Sequence, residues 1–380
     1  MTAIYFSEEH EAFRDQIRRF VDEEVRPHAQ AWEDAGEIPR EIFVKMGELG
    51  FLGVRYPEEF GGAEMDTFGS VLLAEELGRA GLSGFAISTL VHTDMASPHL
   101  ERYGTPEQKS TYLPDVITGR RITAVAVTEP GAGSDVAGIT TKAERRGNGW
   151  VLSGQKMFIT NGVLGDLYFV AAKTDLDVKP SRGVSIFIVE KGTPGFKIAT
   201  KLDKMGWRCS DTAELVFENV ELTADALLGS EGRGFYQIMD NFQNERLVIG
   251  AMAVGEAERA LEITVDYVKS RNAFGATLWD KQAVRQKLAL AASRCESVKT
   301  LIHHTAWLDA DGRDCVKEVS MIKALAAEML QEVVWTCQQM HGGAGYMRGM
   351  EIERLYRDAR VQAIGGGATE VMLEEVAKRM

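Results

Sequence analysis

The sequence predicts an α+β fold in three consecutive units: an N-terminal helical domain, a middle antiparallel β-barrel or sandwich domain, and a C-terminal four-helix-bundle domain. Three observations carry this. The hydrophobic spacing is helical at both ends of the chain and strand-like between them. The chain has 380 residues, beyond the ~250–300 at which single cores stop growing, so several packed units are expected. No proline follows Pro194, which leaves the rest of the chain free to form long helices. The units read as residues 1–120, 121–229 and 230–380.

In the first unit Phe13, Ile17, Phe20 and Val21 fall on one face of a helix. The segments EIFVKMGELGFLG and FGSVLLAEELGRAG repeat that spacing. Thr105-Pro106, followed by Glu107 and Gln108, reads as a helix start with Thr as cap and Pro at the first helical position. In the second unit VAVTE, WVLSG, KMFIT, LYFVAAK, VSIFIVEK and AELVFENVEL are short runs rich in β-branched and aromatic residues. Asn148-Gly149 marks a hairpin. No crossover helix fits between the runs, so the sheet should be largely antiparallel. The third unit opens on an almost unbroken helical pattern from Gly234 to Ser270, and further helices follow from Gln282, Val316 and Val371.

Composition excludes several functions. With 43 Lys and Arg against 56 Asp and Glu, the net charge is −13, which disfavours nucleic acid as a partner. No apolar run reaches the ~18–20 residues that span a bilayer. The N-terminal MTAIYFSEEHEAFRD lacks a basic flank and apolar stretch, so it does not read as a targeting segment. Cys209, Cys295, Cys315 and Cys337 stand far apart, against a zinc site and in favour of a reducing, cytoplasmic setting. There is no phosphate-loop lysine motif, no HExxH and no GxSxG. Gly131-Ala132-Gly133-Ser134 precedes a hairpin rather than a helix, which rejects a Rossmann site. His303 and His304 point about 100° apart on a helix and cannot share one metal, so no metal is expected.

What remains are loops rich in glycine and hydroxyls. They are Val127 to Asp135, Gly154 to Gly162, His341 to Gly345 and Gly365 to Thr369. Such loops suit a large, flat cofactor that carries phosphates.

VAVTEPGAGSD, GQKMFITNG, RNAFG and QMHGGAGY, in this order, resemble the acyl-CoA dehydrogenase family over essentially the whole chain. KMGWRCSDTAELVFENV and GFYQIMDNFQNERL resemble its long-chain and isovaleryl branch. The resemblance implies FAD, a homotetramer built as a dimer of dimers, and α,β-dehydrogenation of an acyl-CoA thioester to a trans-2-enoyl-CoA. It also implies an electron-transferring flavoprotein as partner and a place in fatty acid β-oxidation. By motif, Val125, Val127 and Thr128 should line the flavin edge. Gly133 and Ser134 should sit near the cofactor, with Ser134 also near substrate. Phe158 should cover a flavin face, with Ile159 and Thr160 beside it. Many members carry Trp where Phe158 stands. Arg271, Phe274 and Gln282 match the segment that reaches FAD across a subunit interface, as do Gln339, Gly342 and Gly343. Ala368 and Glu370 complete the cofactor set. A guanidinium such as Arg271 can bind a pyrophosphate through two parallel hydrogen bonds.

One position departs from the common family pattern. Many members carry the catalytic Glu just before the last helix, where this chain has Gly366. The long-chain and isovaleryl branches place it on the first long helix of the C-terminal domain, in a pattern like QERL. Asn244-Glu245-Arg246-Leu247 stands there. The resemblance therefore makes Glu245 the catalytic base, with Glu370 the competing carboxylate. Gly366 retains a backbone N–H for the thioester oxygen, and Asn244 and Arg246 are candidates for substrate contact. Two other functions fit the same motifs. One is a flavin oxidase or desaturase reoxidised by oxygen. The other is an inactive subunit that binds FAD or acyl-CoA, against which Glu245 argues.

Overall fold

The computed structural model describes residues 4–380. Seven α-helices open the chain: α1 (Glu8–Phe20), α2 (Ala29–Ala35), α3 (Glu41–Glu48), α4 (Thr67–Gly78), α5 (Ser83–Leu90), α6 (Ser97–Tyr103) and α7 (Pro106–Ile117). Ile17, Phe20 and Val21 are buried and Phe13 packs against the same core, as their spacing predicts. The start of α7 is capped reciprocally. Thr105 Oγ1 accepts from Gln108 N at 3.2 Å, and the Gln108 side chain accepts from Thr105 N at 2.9 Å.

The middle strands are β1 (Thr123–Ala126), β2 (Lys142–Arg146), β3 (Gly149–Thr160), β4 (Leu167–Lys173), β5 (Val184–Glu190), β6 (Phe196–Lys201), β7 (Thr212–Leu222) and β8 (Leu227–Leu228). They form one sheet in the order β6-β7-β3-β2-β4-β5-β8, with β1 added against β4. Strand β4 is buried on both faces. Leu167, Phe169 and Ala171 enter one core with α6 and α7, while Tyr168, Val170 and Ala172 enter another. Pairing is antiparallel along most of the sheet, but β1 runs parallel to β4, with Val125 opposite Phe169. Parallel neighbours need a long crossover. Here the hairpin β2–β3 supplies it in place of the helix that the sequence lacks. That hairpin turns at Gly147-Asn148, one residue earlier than the Asn148-Gly149 signal, with Gly147 at φ 61°.

The C-terminal unit holds α8 (Gly234–Ser270), a small hairpin of β9 (Asn272–Ala273) and β10 (Ala276–Thr277), α9 (Gln282–Ala310), α10 (Val316–His341), α11 (Glu351–Ala359) and α12 (Thr369–Ala377). Helix α8 is the spine that joins this unit to the first. A Cβ on Gly255 would lie 2.0 Å from Glu75 O, and one on Gly78 would lie 2.3 Å from Met252 O. Only glycine lets α4 and α8 approach this closely. One continuous core runs from α1 through α4 and α8 to α10. No described helix is long and apolar enough to cross a membrane.

Candidate active site

The loop after β1 is pinned to strand β3 by a buried ion pair. Lys156, on β3, is fully buried; its Nζ donates to Glu129 Oε1 at 2.8 Å and to Val127 O at 2.9 Å. The other Glu129 oxygen accepts from Thr140 N at 2.6 Å and Thr140 Oγ1 at 2.7 Å. Burial opposes the Glu129 charge, but the Lys156 ammonium and these donors prevail, so its carboxyl sits well below the usual range. Met157 N donates to Thr128 O at 2.9 Å and closes the junction. Asn161 ties the turn after β3 to α5 of the first unit and to β1, donating to Ser88 O at 2.9 Å and Thr123 O at 3.2 Å.

This pinning presents a surface. The β3–β7 register breaks between Lys156 and Ile159, and there Phe158, at φ 60°, stands 65% exposed. Ile159 is buried beneath it, and Thr160, Val125, Val127 and Thr128 are half-buried. Gly133 and Ser134 are exposed on the loop after β1. A Cβ on Gly131 or Gly133 would meet nothing within 4 Å, so this backbone lies open to a ligand. An exposed ring, a half-buried apolar strand and an open glycine loop fit a flat ring system with a polar edge.

The second group of predicted residues gathers at the far end of α8. Tyr267 stacks on His341 with ring centroids 4.2 Å apart, and Thr264 Oγ1 lies 3.1 Å from His341 Nε2. Arg271 N donates to Tyr267 O at 2.9 Å. Arg271, Phe274 and Gln282 therefore share one end of the bundle with Gln339, Gly342 and Gly343, and all six are exposed. Phe274 is 96% exposed on the tip of the β9–β10 hairpin. Arg271 makes no ion pair among the described residues. Within one chain no described hydrogen bond links this cluster to the Phe158 surface.

Glu245 lies three turns into α8, on the face turned toward the first unit, and is 7% exposed. Asn241, one turn earlier, donates its Nδ2 to Glu245 Oε1 at 3.0 Å and to Asp94 O at 3.1 Å. Burial pushes the Glu245 carboxyl up to about 8; the Asn241 donor and Arg246 pull it down, and Asp94 pushes it further up. Asn244 is held in this network: its Nδ2 donates to Asp94 O at 3.1 Å and its Oδ1 accepts from Arg55 Nη1 at 3.0 Å. A cavity of about 130 Å³ adjoins Asn244 and Asp94, with Arg55, Tyr56, Ser70 and Thr93 among its lining. Arg246 lays its guanidinium 5.0 Å over the Phe242 ring, and its Nε is buried without a partner.

The glycine loop before α12 packs against α8 one turn beyond this carboxyl, at Ile249. A Cβ on Gly366 would lie 2.7 Å from Ile249 Cδ1, and Ile249 is one turn after Glu245 on α8. A Cβ on Gly367 would lie 3.6 Å from Arg246 Nε. Gly366 has φ 67°, and its N–H has no acceptor among the described residues. Ala368 precedes α12, and Glu370 is exposed in its first turn. Asn241 and Asp94 carry no signal in the sequence. Lys323 alone carried a signal, as a charge among Val319, Ile322, Ala326 and Leu330 on an apolar helix face.

Family models match the chain in three consecutive parts: the acyl-CoA dehydrogenase N-terminal domain over residues 7–120, the middle domain over 124–220 and the C-terminal domain over 232–380. The chain is 42% identical over 376 residues to the mitochondrial long-chain specific acyl-CoA dehydrogenase of Mus musculus, covering 99% of this chain and 87% of the relative. It is 36% identical over 372 residues to the mitochondrial isovaleryl-CoA dehydrogenase of Oryza sativa, covering 97% and 90%. A crystal structure of an acyl-CoA dehydrogenase from Geobacillus kaustophilus superposes with a TM-score of 0.94 at 43% identity, covering 99% of this chain and 98% of that one.

Proposed function

The chain belongs to the FAD-dependent acyl-CoA dehydrogenase family, and from that premise we propose that it converts a medium- or long-chain or branched acyl-CoA to the trans-2-enoyl-CoA. Glu245 is the base that takes the α-proton. The observation that carries this is a carboxyl on α8 that is 7% exposed and pushed up to about 8. One turn further along α8, Ile249 packs on the loop where glycine stands in place of the family's other carboxylate. A base for a weakly acidic carbon works best with its pKa near the working pH, and burial supplies that here. Asn241 fixes the carboxyl's orientation through Oε1 and leaves Oε2 without a hydrogen-bond donor, free for a proton. Gly366 presents its N–H for the thioester oxygen, where negative charge develops as the α-proton leaves.

FAD, when bound, supplies the acceptor for the β-hydride. Val125, Val127, Thr128, Gly133, Ser134, Phe158, Ile159 and Thr160 would hold its ring end. Arg271, Phe274, Gln282, Gln339, Gly342 and Gly343 would hold a neighbouring chain's cofactor, because they lie at the other end of α8. That division, with the exposed Phe274 beside it, supports a homotetramer in which subunits complete one another's sites. Reoxidation by an electron-transferring flavoprotein follows the family reading. The four buried, unpaired cysteines suit a reducing compartment such as the cytoplasm. A panel of straight and branched acyl-CoAs of increasing length, assayed with an artificial electron acceptor, tests the reading. Turnover should peak at one length or branching class, and no turnover with any thioester would overturn it.

A further inference from the structure

Helix α10 carries a buried ammonium that serves no carboxylate. Lys323 is 1% exposed. Ile322 beside it reaches α8 at Gly250, where a Cβ would lie 2.3 Å from Ile322 Cγ2. This close approach sets Lys323 against the segment that follows α11. Its Nζ donates to Gln362 O and, at 3.1 Å, to Gly367 O. The charged group bearing on it is Arg246, which is also a cation. Burying an ammonium without a counter-ion is costly, and an apolar side chain of the same length would fill the space.

The two carbonyls that Lys323 holds lie on either side of Gly366. The stretch they bracket ends in the run Gly365-Gly366-Gly367, with φ 67° at Gly366 and 109° at Gly367. Such a segment has no side chain of its own to fix it. The other ties are Ile364 N and Gly365 N to Val361 O, each at 2.8 Å, both before Gly366. The Lys323 Nζ–Gly367 O bond therefore holds the far end of the loop. Gln362 is anchored in turn, since its Nε2 donates to Glu256 Oε2 at 2.7 Å.

We propose that Lys323 is a positioning residue for the dehydrogenation: by clamping Gln362 O and Gly367 O it aims the Gly366 N–H at the thioester oxygen. This rests on the reading of Gly366 given above. Misplacing a donor to a developing oxyanion costs on the order of 10²–10³ in rate. Lys323→Met should therefore lower kcat by about 10²-fold or more, with KM moving by less than about threefold, the pattern of an interaction realised in the transition state. Lys323→Arg, which keeps the donors, should recover part of the loss.

A vibrational measurement separates this role from packing. In holoenzyme carrying Glu245→Gln, a bound ¹³C-labelled acyl-CoA reports the thioester C=O stretch without turnover. That band should shift down on binding. Adding Lys323→Met should return it toward the free position while FAD stays bound. If Lys323→Met does not fold, Lys323→Gln keeps an uncharged donor group and should give an intermediate band. An unshifted band in Glu245→Gln alone would sink the Gly366 reading itself. A full shift retained in the Lys323 variants would overturn the clamp and leave the Gly366 reading standing.

Discussion

Replacing Glu245 by Gln should make the protein more stable at alkaline pH, and the size of the gain follows from its burial. The carboxyl is held up to about 8 in the folded protein, against ~4.3 when free. The folded state then binds more protons than the unfolded state between those values, so stability falls as pH rises through that window. Below the lower value the folded and unfolded carboxyls are both protonated, and no penalty exists. Above about 8 the full cost of burying the charge is felt, on the order of 5 kcal/mol at ~1.36 kcal/mol per unit. Gln is nearly isosteric and carries no charge, so it escapes this cost. For a chain of 380 residues, an unfolding entropy of ~2.1 cal/mol/K per residue turns that into about 6 °C of Tm. Thermal melts of the wild-type and Glu245→Gln holoenzymes, run side by side from pH 5 to pH 9, measure it. The variant's Tm advantage should be only about 1 °C at pH 5 and grow toward about 6 °C at pH 9. An advantage that does not change with pH would refute the account of a carboxyl desolvated in the folded state.

Other outcomes follow from the same contacts. Gly366→Glu in the Glu245→Gln background should restore a little activity, because the new carboxyl starts from φ 67° and its Cβ from 2.7 Å off Ile249 Cδ1. Adding Ile249→Val, which removes that Cδ1, should raise the rescued rate in a stopped-flow assay. Lys156→Met leaves Glu129 buried and unpaired, which costs about 3–5 kcal/mol; the variant should show a lower Tm and lose flavin on gel filtration. Arg271→Glu should weaken flavin retention and oligomer stability together, read by absorbance and light scattering on one column. Loss of neither would make Arg271 an ordinary surface residue.

The three-part frame was legible because period and proline distribution report directly on local structure. The cap at Thr105 and the long helix to Ser270 follow from side-chain chemistry within a few residues. The parallel pairing of β1 with β4 was not legible, since a hairpin can serve as a crossover as well as a helix can. Glu245 stood out as a candidate through a motif resemblance, but its environment did not. Asp94 and Asn241 meet across 147 positions of sequence, and no local pattern encodes that meeting. Asn244 illustrates the limit. Its type suits a substrate contact, yet both ends of its amide are engaged by Asp94 and Arg55. Gly366 shows the opposite case. The family resemblance marks it as a missing carboxylate, and the fold adds why glycine suits the place: a left-handed backbone packed against Ile249.

The central claim is that Glu245 takes the α-proton, and anaerobic mixing of holoenzyme with an acyl-CoA tests it most directly through the loss of flavin absorbance. Wild type should bleach with a rate that rises with pH toward a plateau above about 8, where the carboxyl is ionised. Glu245→Gln should bind both FAD and acyl-CoA and bleach at least about 10²–10⁴-fold more slowly, the contribution of a general base. Glu370→Gln should bleach at the wild-type rate. Rapid bleaching in Glu245→Gln together with none in Glu370→Gln would contradict the assignment and move the proton transfer to α12.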